Sequence, residues 1–115
     1  MAVCSILFVG CYYDKASELY PSTKCDTSQV TYSEDVVTIL TNNACIACHN
    51  AVSPGGSIAL DTYADVKIYV DNGRLLGSIK HRDGFVAMPL NSGSRIDACE
   101  IDKIEAWIYD GARNN

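Results

Sequence analysis

Phe and Trp, the bulkiest apolar side chains, are scarce in this sequence. Its 115 residues include two Phe and one Trp, although 48% of the residues are hydrophobic and 20% are charged, as in ordinary globular proteins. A chain of this length fits one compact domain and leaves no room for a second core. We therefore expect a single domain whose centre is filled partly by a group other than Phe and Trp side chains.

Basic residues are too few for a protein that binds nucleic acid through its phosphates. The chain has 9 Lys and Arg against 14 Asp and Glu, which gives a formal net charge of −5. Affinity for nucleic acid depends on cationic side chains that neutralise phosphate. We therefore expect no nucleic-acid partner.

Residues 1–10 form an uncharged, apolar run that is too short to cross a bilayer as a helix, which needs roughly 20 apolar residues. The run ends at Gly10 before Cys11 and resembles the end of a bacterial lipoprotein signal peptide. The resemblance implies that residues 1–10 are the remnant of this signal and that Cys11 carries a lipid. The chain would then be exported and tethered to a membrane on its periplasmic or cell-surface side. A buried first strand or helical turn is the alternative.

The six cysteines are too few for a disulfide scaffold, so the role of each has to be considered separately. Cys45, Cys48 and His49 form the C-x-x-C-H pattern that attaches c-type haem. In a helix these three residues share one face. Two thiols can then bond the two vinyl groups of one porphyrin while the imidazole reaches the iron. The pattern predicts one covalently bound haem c, with Cys45 and Cys48 as thioether links and His49 as an axial ligand.

The C-x-x-C-H pattern also occurs in three kinds of site without haem, which stay open as alternatives. A thioredoxin-type dithiol needs a βαβ context, for which the sequence offers no strand pattern. Structural zinc needs four ligands, and the residues left to complete such a site are isolated: Cys25, His81 and Cys99. A chance match on a solvent-facing helix would leave Cys45 and Cys48 as free thiols or join them to each other.

A second axial ligand is expected from Met88, the only methionine besides Met1. His/Met ligation is the arrangement that raises the potential of cytochromes c. Pro89 fixes its own φ and biases Met88 toward an extended backbone, which favours a rigid placement of the thioether. A core methionine that fills a gap is the alternative for Met88. His81 is the competing ligand, although its charged surroundings also suit a solvated histidine.

Amphipathic spacing predicts an all-α fold of about four or five short helices. A first helix follows the capping-box pattern of Thr31 and Glu34, and a second, capped by Asp61, runs from near Thr62 to Asn72-Gly73. A further short helix leads into the Met88 loop, and Asp97 caps the last helix before Gly111 ends it. We expect these apolar side chains to face the core: Val36, Val37, Leu40, Tyr63, Val66, Val70, Leu75, Leu76, Ile79, Ile101, Ile104, Trp107 and Ile108.

With its C-x-x-C-H pattern, its Met88-Pro89 pair and its closing helix over residues 100–112, the chain resembles a mono-haem, bacterial class I c-type cytochrome across residues 31–113. The resemblance implies the cytochrome c fold, with short helices around one haem in a domain over residues 31–115. Residues 11–30, polar and aperiodic, would be a tether or irregular arm. Trp107 corresponds to the aromatic residue of the family's last helix, which packs across the first helix at the haem edge. A proline carbonyl often supports the proximal imidazole in this family, and that role for Pro54 stays open.

Axial ligands on both sides of the iron would leave no open site for substrate, so the resemblance implies a carrier of single electrons rather than an enzyme. Its partners would be exported or membrane-bound redox proteins. Two alternatives remain. Without Met88 on the iron, a five-coordinate haem could bind a gas or peroxide. The domain could also be a haem-bearing docking subunit of a larger respiratory complex.

Two further expectations follow from these assignments. Cys4 would leave with the signal peptide, so Cys25 and Cys99 remain after the haem and lipid cysteines are assigned. We predict a disulfide between them in an oxidising compartment; two buried free thiols are the alternative. Residues 67–95 carry five basic and two acidic residues, a local charge of +3. One hypothesis is that Lys80, Arg82 or Arg95 meets the haem propionates or an acidic redox partner. The alternative is a simply solvated loop.

Overall fold

The computed structural model describes residues 25–52 and 55–115, and within these ranges the chain is all-helical without a strand, which confirms the predicted fold class. Residues 1–10 and Cys11 lie outside the described residues, as does Pro54. The described residues fold into five helices and one 3-10 turn, Gly55–Ser57. The first helix, α1, is a π-helical turn Tyr32–Val36 that continues as Val37–Asn42. The others are α2 (Cys45–Cys48), α3 (Tyr63–Asp71), α4 (Arg74–Ile79) and α5 (Ala98–Tyr109).

The first turn of α1 is wider than the capping-box pattern predicts. Thr31 caps the helix as expected, since its hydroxyl accepts a hydrogen bond from the Glu34 amide at 3.2 Å. The reciprocal bond comes from Asp35 rather than Glu34, because Oδ2 of Asp35 accepts from the Thr31 amide at 2.9 Å. Thr31 O accepts from the amides of both Asp35 and Val36 at 3.1 Å, so the turn holds one more residue than an α-turn and brings Asp35 back to the cap.

Thr62, and not Asp61 as expected, caps α3. The Thr62 hydroxyl accepts from the Asp65 amide at 3.1 Å. Asp61 instead accepts a hydrogen bond from the Ala51 amide at 3.2 Å, which ties the start of α3 to the segment that follows α2. The helix ends at Asn72 and Gly73 as predicted, where Gly73 has a positive φ of 81°.

The core joins the first and last helices around Trp107. Trp107 is 1% exposed, and its ring lies 5.7 Å from that of Tyr32 on α1. Tyr32 also meets Tyr63 of α3 edge to face at 5.2 Å. Most of the predicted core residues are buried, whereas Val37, Tyr63, Val70 and Ile108 are half-buried at its edge. The predicted packing of the last helix on the first is therefore observed.

Backbone carbonyls beyond α5 accept hydrogen bonds from the polar atoms of two core aromatic residues, Trp107 and Tyr63. Trp107 Nε1 donates to Arg113 O at 2.9 Å, and the Tyr63 hydroxyl donates to Ala112 O at 2.7 Å. The end of the chain returns to α1, where the Tyr32 amide donates to Oδ1 of Asn115 at 2.9 Å. These bonds fix α5 against α1 and α3.

A disulfide joins Cys25 to Cys99, with the two Cα atoms 5.5 Å apart across a sequence separation of 74 residues. This pairing is the predicted one. Residues 25–30 form no helix, yet Val30 is buried in the core. The disulfide therefore attaches the irregular segment before α1 to the first turn of α5. Among the described residues, no helix combines the length and the apolar character needed to cross a membrane.

Candidate functional site

Both thiols of the C-x-x-C-H pattern lie on one helical turn, and its histidine is the residue that caps the end of this turn. α2 spans Cys45–Cys48, and the His49 amide donates to Cys45 O at 2.8 Å, which closes the turn. Cys45 is half-buried against the core and Cys48 is exposed, and both are free thiols. Burial raises the pKa of the Cys45 thiol. The predicted helical placement holds for Cys45 and Cys48. His49 instead ends the helix with a non-helical backbone, φ −119° and ψ 79°, because its carbonyl accepts from the Leu60 amide rather than continuing the turn.

The position of α2 is fixed at its start by Asn43. The side-chain amide of Asn43 donates to Ile39 O at 2.9 Å and to Oε1 of Glu100 at 3.0 Å. Ala44 then has a positive φ of 61°, which turns the chain sharply between α1 and α2. The hydrogen bond to Glu100 links the start of the candidate site directly to α5.

The imidazole of His49 is oriented by two backbone carbonyls. Its Nδ1 lies 2.9 Å from Gly55 O and 3.3 Å from Ile58 O. Carbonyl oxygens only accept hydrogen bonds, so Nδ1 carries the proton and donates. In the neutral ring the lone pair then resides on Nε2. A ligating histidine typically has this arrangement, because a carbonyl on one nitrogen fixes the tautomer and the orientation of the other.

Among the described residues, the carbonyl nearest to His49 Nδ1 belongs to Gly55 and not to a proline. A Cβ atom at Gly55 would lie 2.9 Å from Cys48 O, so only glycine allows this close approach to the end of α2. A second tie comes from the Leu60 amide, which donates to His49 O at 2.8 Å. Nothing in the sequence pattern around the Gly55-Gly56 pair indicates this role.

We expect Gly55→Ala to displace the carbonyl that holds the His49 ring. The added methyl group would have to move away from Cys48 O, which shifts Gly55 O and weakens its hydrogen bond to Nδ1. Nuclear magnetic resonance of 15N-labelled imidazole measures the outcome: we expect the His49 Nδ1 proton to exchange with water faster by about tenfold. Ser57→Ala, an exposed change in the same turn, is the control. Unchanged exchange in Gly55→Ala would contradict the assigned role.

Met88 lies on the loop between α4 and α5 and is held at both of its backbone polar groups. Its amide donates to Ser78 O at 3.1 Å, and its carbonyl accepts from Nε2 of His81 at 2.9 Å. The hydrogen bonds of Met88 are therefore with Ser78 and His81 and not with α2. His81 is half-buried and supports the Met88 backbone, so it is not the simply solvated histidine that its charged neighbours suggested.

Exposed apolar side chains flank both predicted axial ligands. Val52, three residues after His49, is 94% exposed. Near Met88, Val86 is 58% and Leu90 63% exposed. Singly exposed apolar residues are common on protein surfaces, so these exposures alone do not define a binding surface.

The positive charge of the Met88 loop is partly neutralised by α5. Lys80 Nζ lies 3.0 Å from Oε1 of Glu105, and an Arg82 guanidinium nitrogen lies 4.0 Å from Oε2 of the same residue. Arg95 lines a small cleft of about 120 Å³ together with Lys80. Lys80 is therefore engaged with α5 rather than simply solvated, whereas the side chain of Arg82 remains 48% exposed.

The ion pair with Lys80 predicts a loss of stability in acid. A hydrogen bond from Lys80 lowers the pKa of Glu105 below its ordinary value of 4.5. A carboxylate with a lowered pKa stabilises the fold above its unfolded-state pKa, and this contribution disappears as the pH falls through the folded-state pKa. We expect Glu105→Gln to remove about 1 kcal/mol at neutral pH and to flatten the fall in stability below pH 4.5.

Urea unfolding followed at several pH values measures this effect. Asp102→Asn, an exposed carboxylate on the same helix, is the control and should leave the acid dependence close to that of the unmodified chain. If Glu105→Gln and the unmodified chain lost the same stability from neutral to acid pH, the Lys80–Glu105 pair would contribute nothing.

Within residues 25–52 and 55–115, no three His, Cys, Asp or Glu side chains converge on a position that could hold a metal ion. No protein-family model, curated protein or solved structure matches this chain.

Proposed function

We propose that this chain is a mono-haem c-type cytochrome that passes single electrons between redox proteins. The observation that carries the proposal is the state of His49 beside two free thiols. Its Nδ1 proton is committed to the carbonyls of Gly55 and Ile58, which leaves the Nε2 lone pair for iron.

The residues of the α2 turn fit the two bonds that attach a c-type haem. Cys45 and Cys48 would form the thioether links, and Nε2 of His49 would bind the iron from one side. Haem held there would supply an iron that alternates between Fe(II) and Fe(III). A site with one imidazole from the protein needs no cluster of His, Cys, Asp or Glu.

Met88 is our candidate for the other axial ligand. Its backbone is anchored on α4 through Ser78 and on His81, and exposed apolar residues precede and follow it. If His49 and Met88 both bound the iron, no position on it would be open to a substrate. Electron transfer without bond chemistry is then the natural activity, so we propose a carrier and not an enzyme.

The proposal extends to the fold and to the location of the protein. Packing of Trp107 on Tyr32 supports the cytochrome c fold, in which the last helix crosses the first. The Cys25–Cys99 disulfide supports an oxidising, exported location. We propose a lipid on Cys11 as the tether, and exported or membrane-bound redox proteins as partners.

The test is to express the full chain in bacteria with a cytochrome c maturation system. We expect a coloured protein whose haem stays on the polypeptide after denaturation and gives the pyridine haemochrome of two thioether links. The Cys45→Ser, Cys48→Ser double variant should be colourless. The control is Ala47→Ser, an exposed change between the two thiols, which should stay coloured. Colourless unmodified protein would overturn the proposal.

The absorption spectrum of the oxidised protein tests the second ligand. A bond between methionine sulfur and Fe(III) gives a weak band in the far red, which we expect to be absent in Met88→Leu. A coloured but high-spin unmodified protein would contradict ligation by Met88 and favour a five-coordinate haem that binds a gas or peroxide. Copurification at fixed stoichiometry with membrane proteins would favour a docking subunit.

A further inference from the structure

A histidine occupies the position at the end of α4 that is normally a glycine. Lys80 caps the helix, the His81 amide donates to Ser78 O at 3.2 Å, and the Arg82 amide donates to Gly77 O at 2.9 Å. These two bonds define a Schellman motif, in which the residue after the cap has a left-handed backbone. His81 accordingly has a φ of 55°. Glycine adopts this conformation without cost, whereas a side chain does not.

The ring of His81 makes a contact that glycine could not provide. Its Nε2 lies 2.9 Å from Met88 O, and because the carbonyl only accepts, Nε2 carries the proton. The tautomer is thus the opposite of that of His49, whose Nδ1 donates. In neutral rings, His49 presents its free Nε2 to a ligand, whereas the Nε2 of His81 is occupied by the Met88 backbone.

The same helix end holds the other polar group of Met88. Ser78 O accepts from both the His81 amide and the Met88 amide, at 3.2 and 3.1 Å. Within the loop, the ring of Phe85 lies against Gly77, where a Cβ atom would come within 2.6 Å of it. The segment from His81 to Met88 is therefore closed back onto α4 by its ends and by Phe85.

We propose that His81 is a positioning residue for Met88: its ring fixes the Met88 backbone, from which the thioether would bind the iron. This inference rests on the proposed function, because it assigns His81 a role in the second axial bond. His81 itself is not a ligand in this arrangement. Its effect is to reduce the freedom that Met88 would lose on binding iron, which strengthens the bond between them.

Two variants separate this role from a purely structural one. His81→Gly keeps the left-handed turn, and is favourable there, but removes the ring. His81→Gln keeps an N–H donor at a comparable distance from the backbone while it retains a side chain at positive φ. If His81 only stabilised the left-handed turn, His81→Gly would preserve its role and His81→Gln would not. If His81 positions Met88, His81→Gly loses this role and His81→Gln retains at least part of it.

The measurements use the full chain purified with its haem. Imidazole added to the oxidised protein competes with Met88 for the iron, and disappearance of the far-red band reports its binding. We expect His81→Gly to bind imidazole about threefold to tenfold more tightly, which corresponds to the loss of one ordinary hydrogen bond. We also expect the Met88 amide to exchange its hydrogen faster by a similar factor, with the amides of α5 unchanged. His81→Gln should lie between His81→Gly and the unmodified protein in both measurements.

The outcomes distinguish this inference from the proposed function. Changes of less than about twofold in both measurements for His81→Gly would overturn the positioning role while the haem and its Met88 ligand stand. The same role would be overturned if Gln gave the larger loss and Gly none. Absence of the far-red band from the unmodified haem protein would instead overturn ligation by Met88, and with it this inference.

Discussion

Replacing Trp107 by alanine is expected to destabilise the folded chain by about 3–5 kcal/mol, the usual cost of removing a large aromatic side chain from a core. Trp107 is 1% exposed, contacts Tyr32 and donates a hydrogen bond from Nε1 to Arg113 O. The truncation leaves a cavity between α1 and α5 and an unpaired carbonyl. For a small domain of roughly 5–15 kcal/mol total stability, such a loss is severe.

Urea unfolding followed by far-ultraviolet circular dichroism measures the loss. Tyr109→Ala is the matched control, because Tyr109 lies on the same helix but is 76% exposed. Trp107→Phe keeps a ring in the core and loses the hydrogen bond, so its effect should fall between those of the other two variants. A loss below about 1 kcal/mol in Trp107→Ala would show that the contact between α1 and α5 does not depend on this residue.

Breaking the Cys25–Cys99 disulfide is expected to cost about 4 kcal/mol, the value that the chain-entropy relation gives for a loop of this length. The bond closes a sequence separation of 74 residues that contains α1 to α4, so its removal releases most of the unfolded chain. Urea unfolding of the Cys25→Ser, Cys99→Ser double variant measures the cost.

A mild reductant provides the control for this experiment. The unmodified chain should lose stability when the disulfide is reduced, whereas the double variant should respond little. Cys45 and Cys48 are the same in both proteins, so they do not account for a difference. Mass spectrometry that finds Cys25 and Cys99 both free in unreduced protein would contradict the bond itself.

The helices could be predicted because their signals are local. Thr31 caps α1, Asp97 caps α5 and accepts from the Cys99 amide at 2.8 Å, and Gly73 ends α3, all from patterns that span a few residues. The details that differ depend on neighbours in space. Asp61 is the cap of α3 that the pattern predicts, but its carboxylate is used by the Ala51 amide, a contact that sequence spacing does not reveal.

The candidate site also combines features set by local spacing with features set by contacts in space. The C-x-x-C-H spacing predicts one shared helical turn, because the distance between its members is set by a single turn of backbone. The partner of the His49 ring could not be predicted, since it depends on how the following loop returns, and the loop places Gly55 there. The role of His81 was equally hidden, because nothing in its charged neighbourhood indicates a left-handed helix end or a contact with Met88 O.

The ring of Phe85 packs against Gly77, so two positions that are eight residues apart in the sequence depend on each other. A methyl group at 77 has no space unless the aromatic ring withdraws, and a smaller residue at 85 would leave that space empty. Substitutions at the two positions should therefore be tolerated in combination more readily than singly. A change in the packing of Phe85 on Gly77 should also move Met88, because the Met88 amide donates a hydrogen bond to Ser78, the residue next to Gly77.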